Sequence, residues 1–197
     1  MDWSYNEKLR DEQLLGKIMS QIFSHCHACG SAYGADANAF PKTCGSCKHI
    51  HYKNPIPVAV CMVPCEDGIL GIVRGIMPGK GEEALPGGFV DMERPEQGCS
   101  RELLEETGVE LDESVWRYAS SFLTPAGNLL MFYEADIAPI ALPAYPGELP
   151  PEALSETAGI QVIRPGAKLA FSSHEDAANA FLARLAAKAD HAETRSA

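Results

Sequence analysis

The sequence predicts an α/β domain preceded by a small metal-binding module, and three observations carry that expectation. Four cysteines stand in two C-x2-C pairs near the N-terminus, several apolar runs are bounded by turn signals, and one glutamate-rich segment carries helical end signals. At 197 residues, 46% of them apolar, the chain suits one ordinary domain with a real core plus an appendage.

The first element expected is an amphipathic helix over residues 5–23, with Leu15, Ile18, Met19 and Ile22 at helical spacing. Such a stripe packs on the domain or on a second subunit, and a homodimer is the assembly the second arrangement would give. Cys26-His27-Ala28-Cys29 and Cys44-Gly45-Ser46-Cys47 follow, separated by 14 residues. Each pair can bite one tetrahedral metal from a tight turn, and four sulfurs close the coordination sphere, so Cys26, Cys29, Cys44 and Cys47 are expected to hold structural Zn²⁺. A thioredoxin-like redox pair would use a single C-x-x-C in a βαβ setting. His25, His27, His49 and His51 lie near enough to substitute as ligands but read as surface or supporting residues. The expected organisation is an N-terminal helix over 1–24, a zinc ribbon over 25–54 and the main domain over 55–197.

Asn54-Pro55-Ile56-Pro57 reads as a stiff linker, because a residue before proline is biased to extended conformations. Val58–Val63 and Ile69–Arg74 read as strands joined around Asp67-Gly68, a hairpin signal. Cys61 and Cys65 on or beside the first strand read as core residues. Arg117–Leu123 and Leu129–Ile137 form a second expected hairpin around Gly127-Asn128. Residues 139–153 are rich in proline and small residues and indicate a loop, and Ile160–Ile163 forms a last short strand. Ser172 with Glu175 resembles a capping box before a closing helix whose apolar face is Ala178, Phe181, Leu182 and Leu185.

Between the two hairpins runs the segment GGFVDMERPEQGCSRELLEETGV, from Gly87 to Val109. Pro95 at a helix start and Gly108 at its end are the residues those positions favour. Glu102, Glu105 and Glu106 stand at i, i+3 and i+4, which on a helix places three carboxylates on one face. Like charges at that spacing repel by about 0.2–0.5 kcal/mol per pair, so either the face is solvated or a cation belongs there. A hard cation such as Mg²⁺ takes oxygen ligands of this kind together with substrate phosphates. Cys99, Leu103 and Leu104 are expected to face the sheet while the glutamates face out.

Read as Gly87, five residues, Glu93, seven residues, then Arg101-Glu102-Leu103-x-Glu105-Glu106-x-Gly108-Val109, the segment resembles the signature box of the Nudix hydrolases. The resemblance implies an α/β/α sandwich with a mixed sheet, and hydrolysis of the diphosphate bond in nucleoside diphosphate-linked substrates, giving a nucleoside monophosphate and a phosphorylated product. It implies Mg²⁺ or Mn²⁺ held by Glu102, Glu105, Glu106 and the Gly87 carbonyl, a Glu93–Arg101 pair bracing loop against helix, and Arg74 as a phosphate contact. Glu106 is the first candidate for general base, with Glu148, Glu152 and Glu156 behind it. The alternative is a non-catalytic nucleotide-sensing module with the zinc ribbon as its interaction domain; the complete glutamate set favours the enzyme.

Two departures stand out. Family members often read Leu-Pro-Gly-Gly-Phe followed by Val-Glu-x-Gly-Glu, whereas here Leu85-Pro86-Gly87-Gly88-Phe89 leads to Val90-Asp91-Met92-Glu93, one residue shorter and without that glycine. A zinc ribbon before such a domain resembles NADH diphosphatases and plastid-type FAD diphosphatases. The post-box motif of the NADH enzymes, Ser-Gln-Pro-Trp-Pro-Phe-Pro-x-Ser, is here reduced to its first serine, Ser120. Pro125, 16 residues beyond Val109, matches a placement seen in ADP-ribose hydrolases, so ADP-ribose, FAD and NAD(H) are the expected substrate types.

The net charge of −11 is uneven: residues 1–54 carry +1 and the remainder −12. An acidic body repels polyanions, so no nucleic-acid partner is expected, and a small anionic substrate would need the site cation. No apolar run approaches the ~18 residues of a membrane helix, and the N-terminus lacks a signal-peptide pattern. The expectation is a cytoplasmic protein with no membrane partner.

Overall fold

The computed structural model describes residues 24–33, 40–142 and 156–196. The chain divides into two compact units, Met1–Pro55 and Ile56–Ala197. In the first, β1 (Lys42–Thr43) and β2 (Ile50–His51) pair antiparallel across the second cysteine turn. The helix expected over 5–23, with its Leu15–Ile22 stripe, lies outside the described residues.

The second unit contains β3 (Ile56–Met62), β4 (Pro64–Cys65), β5 (Gly68–Arg74), β6 (Glu83–Ala84) and β7 (Gly87–Phe89). It continues with α1 (Pro95–Thr107), a short 3-10 turn, β8 (Trp116–Leu123), β9 (Asn128–Ala135), β10 (Thr157–Ile163) and α2 (Ser172–Ser196). One sheet runs β7-β3-β9-β8 and is mixed: β3 and β9 are parallel, and the outer pairs are antiparallel. The parallel pair requires a crossover, which α1 lies within. The other sheet pairs β10, β4 and β6 around β5, all antiparallel.

Both faces of β3 are buried, and alternation along it divides the core in two. Ala59 and Cys61 cluster with Cys99 and Leu103 of α1, while Val60 and Met62 cluster with Ala177, Ala178 and Phe181 of α2. Helix, sheet and helix therefore stack as an α/β/α sandwich. Cys61, Cys65 and Cys99 are buried core residues, as their apolar settings suggest. Trp116 caps the α1 side by donating its indole N–H to Ser100 Oγ at 2.9 Å.

Several expectations change. Ile56 and Pro57 belong to β3 and not to a linker: Ile56 donates to the Gly127 carbonyl at 2.9 Å, and the Pro57 carbonyl accepts from Val90 N–H at 3.1 Å. β10 begins at Thr157, three residues before the expected start, because its pairing with β5 extends to Arg74. Leu104 does not face the sheet but stands 46% exposed, since it lies about 100° around the helix from fully buried Leu103. Glu175 does not form a capping box with Ser172; it reaches further back and accepts from Leu169 N–H at 3.1 Å. No helix among the described residues is long and apolar enough to cross a membrane.

Leu103 is the test of the α1 layer. Leu103→Ala should cost about 3 kcal/mol, the usual cost of a cavity at a site that cannot collapse. Urea unfolding would read it, and a loss below 1 kcal/mol would mean that α1 is not seated as described.

Candidate active site

The site is built where α1 meets β7. Pro95 fits the first helical position, and Gly108, at φ 74°, closes the helix by donating to the Leu104 carbonyl. With both ends fixed, Arg101, Glu102, Glu105 and Glu106 fall on consecutive turns. The doubled glycine allows β7 to approach: a Cβ on Gly88 would lie 2.3 Å from Glu102 Oε1, and one on Gly87 would lie 2.3 Å from the Ala59 carbonyl. The doubled glycine in the sequence is a signal for a close backbone approach, and Gly88 is where Glu102 makes it.

Arg101 ties loop to helix. Its guanidinium donates to Glu93 Oε1 at 2.7 Å, the Phe89 carbonyl at 2.9 Å, Glu102 Oε1 at 2.8 Å and Glu105 Oε2 at 3.1 Å. Glu93 is held below the ordinary carboxylate range chiefly by its hydrogen bond from Arg101. The shortened turn thus still delivers Glu93 to Arg101. Met92 carries the consequence, sitting fully exposed at φ 26°, a region where L-residues are strained and glycine is not.

Glu106 does not face out. It is 92% covered, and its Oε2 accepts the Gly87 N–H at 2.8 Å. Burial pushes its carboxyl up to about 8; Gly87 N–H and Arg74 oppose that rise, and the charges of Glu102 and Glu156 add to it. Burial also raises Glu102, against the contact with Arg101. Glu105 is the most open of the three, with 54% of its side chain exposed.

Arg74, at the end of β5, is anchored and not freely solvated. Its Nε donates to the Pro78 carbonyl at 2.6 Å, and its guanidinium lies 5.0 Å from the centre of the Phe171 ring. Glu156 is exposed and close enough to act on both Glu102 and Glu106, and its carbonyl accepts Gly75 N–H at 2.7 Å. Glu148 and Glu152 lie outside the described residues.

These side chains suit a hard divalent cation. Three carboxylates share a helix face, Glu106 is held up in part by neighbouring negative charge, and hard oxygen donors match Mg²⁺ or Mn²⁺. The three do not yet converge: Arg101 draws Glu102 and Glu105, while Glu106 turns to Gly87. The contact of Gly87 with the cluster runs through its N–H.

The four cysteines do converge. Among the described residues they are the one group of at least three possible metal ligands whose donor atoms all lie within 4.8 Å of one another. Cys26 Sγ lies 3.7 Å from Cys47 Sγ and Cys29 Sγ 3.6 Å from Cys44 Sγ, close to the ~3.8 Å edge of a tetrahedron with 2.3 Å metal–sulfur bonds. The two knuckles repeat each other: Gly30 N–H donates to the Cys26 carbonyl and Lys48 N–H to the Cys44 carbonyl, both donors at positive φ. His27 packs edge to face against both His49 and His51, with ring centres 4.5 Å away in each case, and none of the three joins the sulfur cluster.

Residues 55–185 match the family model described as the NUDIX domain. The chain is 27% identical over 135 residues to the NAD-capped RNA hydrolase NudC of Vibrio vulnificus, covering 68% of this chain and 48% of that protein. It is 26% identical over 121 residues to the NudC of Vibrio atlanticus, covering 61% and 44%. The chain thus spans about half the length of the curated relatives it matches. A NUDIX hydrolase structure from Nitrosomonas europaea superposes with a TM-score of 0.55 at 21% identity, covering 81% of this chain and 90% of that one, a likeness of fold.

Two outcomes follow from this geometry. Met92→Gly should relieve the turn and stabilise the protein by about 0.5–1 kcal/mol by urea unfolding; destabilisation would mean that Met92 is not strained. Without added divalent ion, Glu106 binds its proton far more tightly folded than unfolded, so its stabilising contribution is complete below pH ~4.5 and is lost as pH rises through about 8. Unfolding free energies at pH 6 and pH 9 should therefore fall for wild type and stay closer together for Glu106→Gln.

Proposed function

This chain belongs to the Nudix family, and from that premise we propose that it hydrolyses the diphosphate bridge of nucleoside diphosphate-linked compounds with Mg²⁺ or Mn²⁺. The observation that carries the proposal is the buried Glu106 carboxylate, accepting a hydrogen bond from Gly87 on a helix face it shares with Glu102 and Glu105.

In this reading Glu102, Glu105, Glu106 and the Gly87 carbonyl hold the cation. When bound, a divalent ion neutralises phosphate oxygens and lowers the pKa of water. Arg74, already fixed by Pro78 and Phe171, presents its remaining N–H groups to a phosphate. Arg101 and Glu93 set the angle between the β7 loop and α1. Glu106 Oε2 accepts from Gly87, which leaves Oε1 as the atom that either holds the cation or takes a proton from water; Glu106 is the first candidate for the general base and Glu156, exposed nearby, is the second.

ADP-ribose, FAD and NAD(H) are the proposed substrates, with the reduced post-box motif around Ser120 weighing against NADH. The Vibrio relatives are named for acting on NAD-capped RNA, so a diphosphate at an RNA 5′ end joins the candidates despite the acidic body. The cysteine cluster is proposed to hold structural Zn²⁺, on the sulfur spacing given above.

Glu105→Gln and Glu106→Gln should each lower metal-dependent turnover by at least about 100-fold while the fold survives, and wild-type rates in both would end the assignment. The substrate set is decided by a screen over NADH, NAD⁺, FAD, ADP-ribose, CoA, dinucleoside polyphosphates and an NAD-capped oligonucleotide with Mg²⁺ and Mn²⁺, in which an added phosphatase converts the phosphomonoester products to measurable phosphate. Metal analysis should find one zinc per chain and markedly less in Cys44→Ser; a zinc-free, fully folded wild type would remove zinc from the account.

A further inference from the structure

The start of α2 and the residues just before it close against β6 and the link that leads from it to the glycine pair. Ala170 N–H donates to the Glu83 carbonyl at 2.8 Å, and Leu85 N–H donates to His174 Nδ1 at 3.3 Å. His174 is 93% covered, between Phe132 and Phe171, with ring centres 5.6 and 5.1 Å away. Phe171 is the ring beneath the Arg74 guanidinium, and its carbonyl accepts the N–H groups of His174 and Glu175 that begin the helix.

The sheet ladder does not by itself explain this contact. Leu85 falls in the gap between β6 and β7, where its N–H points into the α2 layer and is fully buried. An unpaired buried N–H is costly, and the imidazole removes that cost. Two residues further on, Gly87 donates to Glu106. A shift of Leu85 therefore moves the one backbone donor that holds the Glu106 carboxylate.

We propose that His174 is a positioning residue for the active site: as a neutral acceptor it fixes Leu85, and through Leu85 the Gly87 N–H, while its neighbour Phe171 fixes Arg74. The inference rests on the Nudix reading for what the site does, but the geometry it asserts stands apart from any substrate. Because Nδ1 accepts from Leu85, the neutral ring carries its proton on Nε2. Burial, with Arg74 nearby, holds this imidazole down to about 4, so Nδ1 keeps its lone pair at neutral pH. No sequence signal pointed to it: 89 positions separate the two partners.

Two variants separate positioning from packing. His174→Asn keeps an acceptor oxygen near the place of Nδ1, whereas His174→Leu keeps apolar bulk and removes the acceptor. In His174→Leu, amide exchange at Leu85 and Gly87 should speed up about tenfold, as expected of one lost hydrogen bond, with Leu103 in α1 unchanged. Mn²⁺ affinity, measured by titration without substrate, should fall by a similar factor, and kcat should fall more than KM. His174→Asn should recover most of each loss. Wild-type exchange and Mn²⁺ affinity in His174→Leu, or equal losses in both variants, would overturn the proposal. Should His174→Leu fail to fold, the ¹⁵N shifts of His174 in the wild type decide: an unprotonated Nδ1 supports the inference and a protonated one refutes it. Absence of turnover by the wild type on every diphosphate would count against the proposed activity alone, because exchange, Mn²⁺ affinity and tautomer are read without substrate.

Discussion

A carboxylate placed inside the fold is the constraint on which the rest of the second unit depends. Glu106 gives up most of its water and receives one backbone N–H in return, and its proton affinity rises to about 8 as a result. A group in that state is stable as a neutral acid or as the anion of an ion pair, and it is poorly served as a bare anion. The surrounding structure leaves both options open. Glu102 and Glu156 make the neutral form more favourable, and Arg74 and Gly87 make the anion more favourable. A cation arriving from solvent would meet a group already poised between the two.

Arg101 manages the remaining negative charge. It contacts Glu93, Glu102, Glu105 and the Phe89 carbonyl, so one guanidinium serves both a loop and a helix. Exposed ion pairs contribute little singly, but here one planar fork with five donors meets several acceptors at once. Its cost is that Glu102 and Glu105 are drawn toward Arg101 and away from Glu106. Binding of a cation would have to compete with those contacts, which favours an ion whose ligand set includes substrate oxygens as well as protein.

Local rules were legible in the sequence and long-range ones were not. Pro95 and Gly108 bounded α1 correctly because capping is decided within a few residues. The cysteine spacing was equally readable, since each knuckle is a tight turn closed by its own backbone hydrogen bonds. Leu104 stands exposed beside buried Leu103 because neighbouring leucines on a helix point in different directions and α1 buries only a narrow stripe. Glu106 was expected to face out because its burial depends on β7, which approaches only through Gly87 and Gly88. Glu175 and His174 lie further beyond reach, since what they accept from is set by how α2 lands on the sheets.

The two candidate metal sites differ in the one respect that decides what each can do. Four sulfurs at tetrahedral spacing leave no place for a further ligand, so a metal there stabilises its knuckles and does nothing to a substrate. The glutamates supply hard oxygens from a single helix face, and one helix face cannot surround an ion. Whatever binds there keeps positions open on the side away from α1. Those open positions, with Arg74 held in place by Phe171 and Pro78, are what a diphosphate would fill. The incompleteness of the oxygen site is therefore the structural reason to place chemistry at α1 and to deny it to the cysteines.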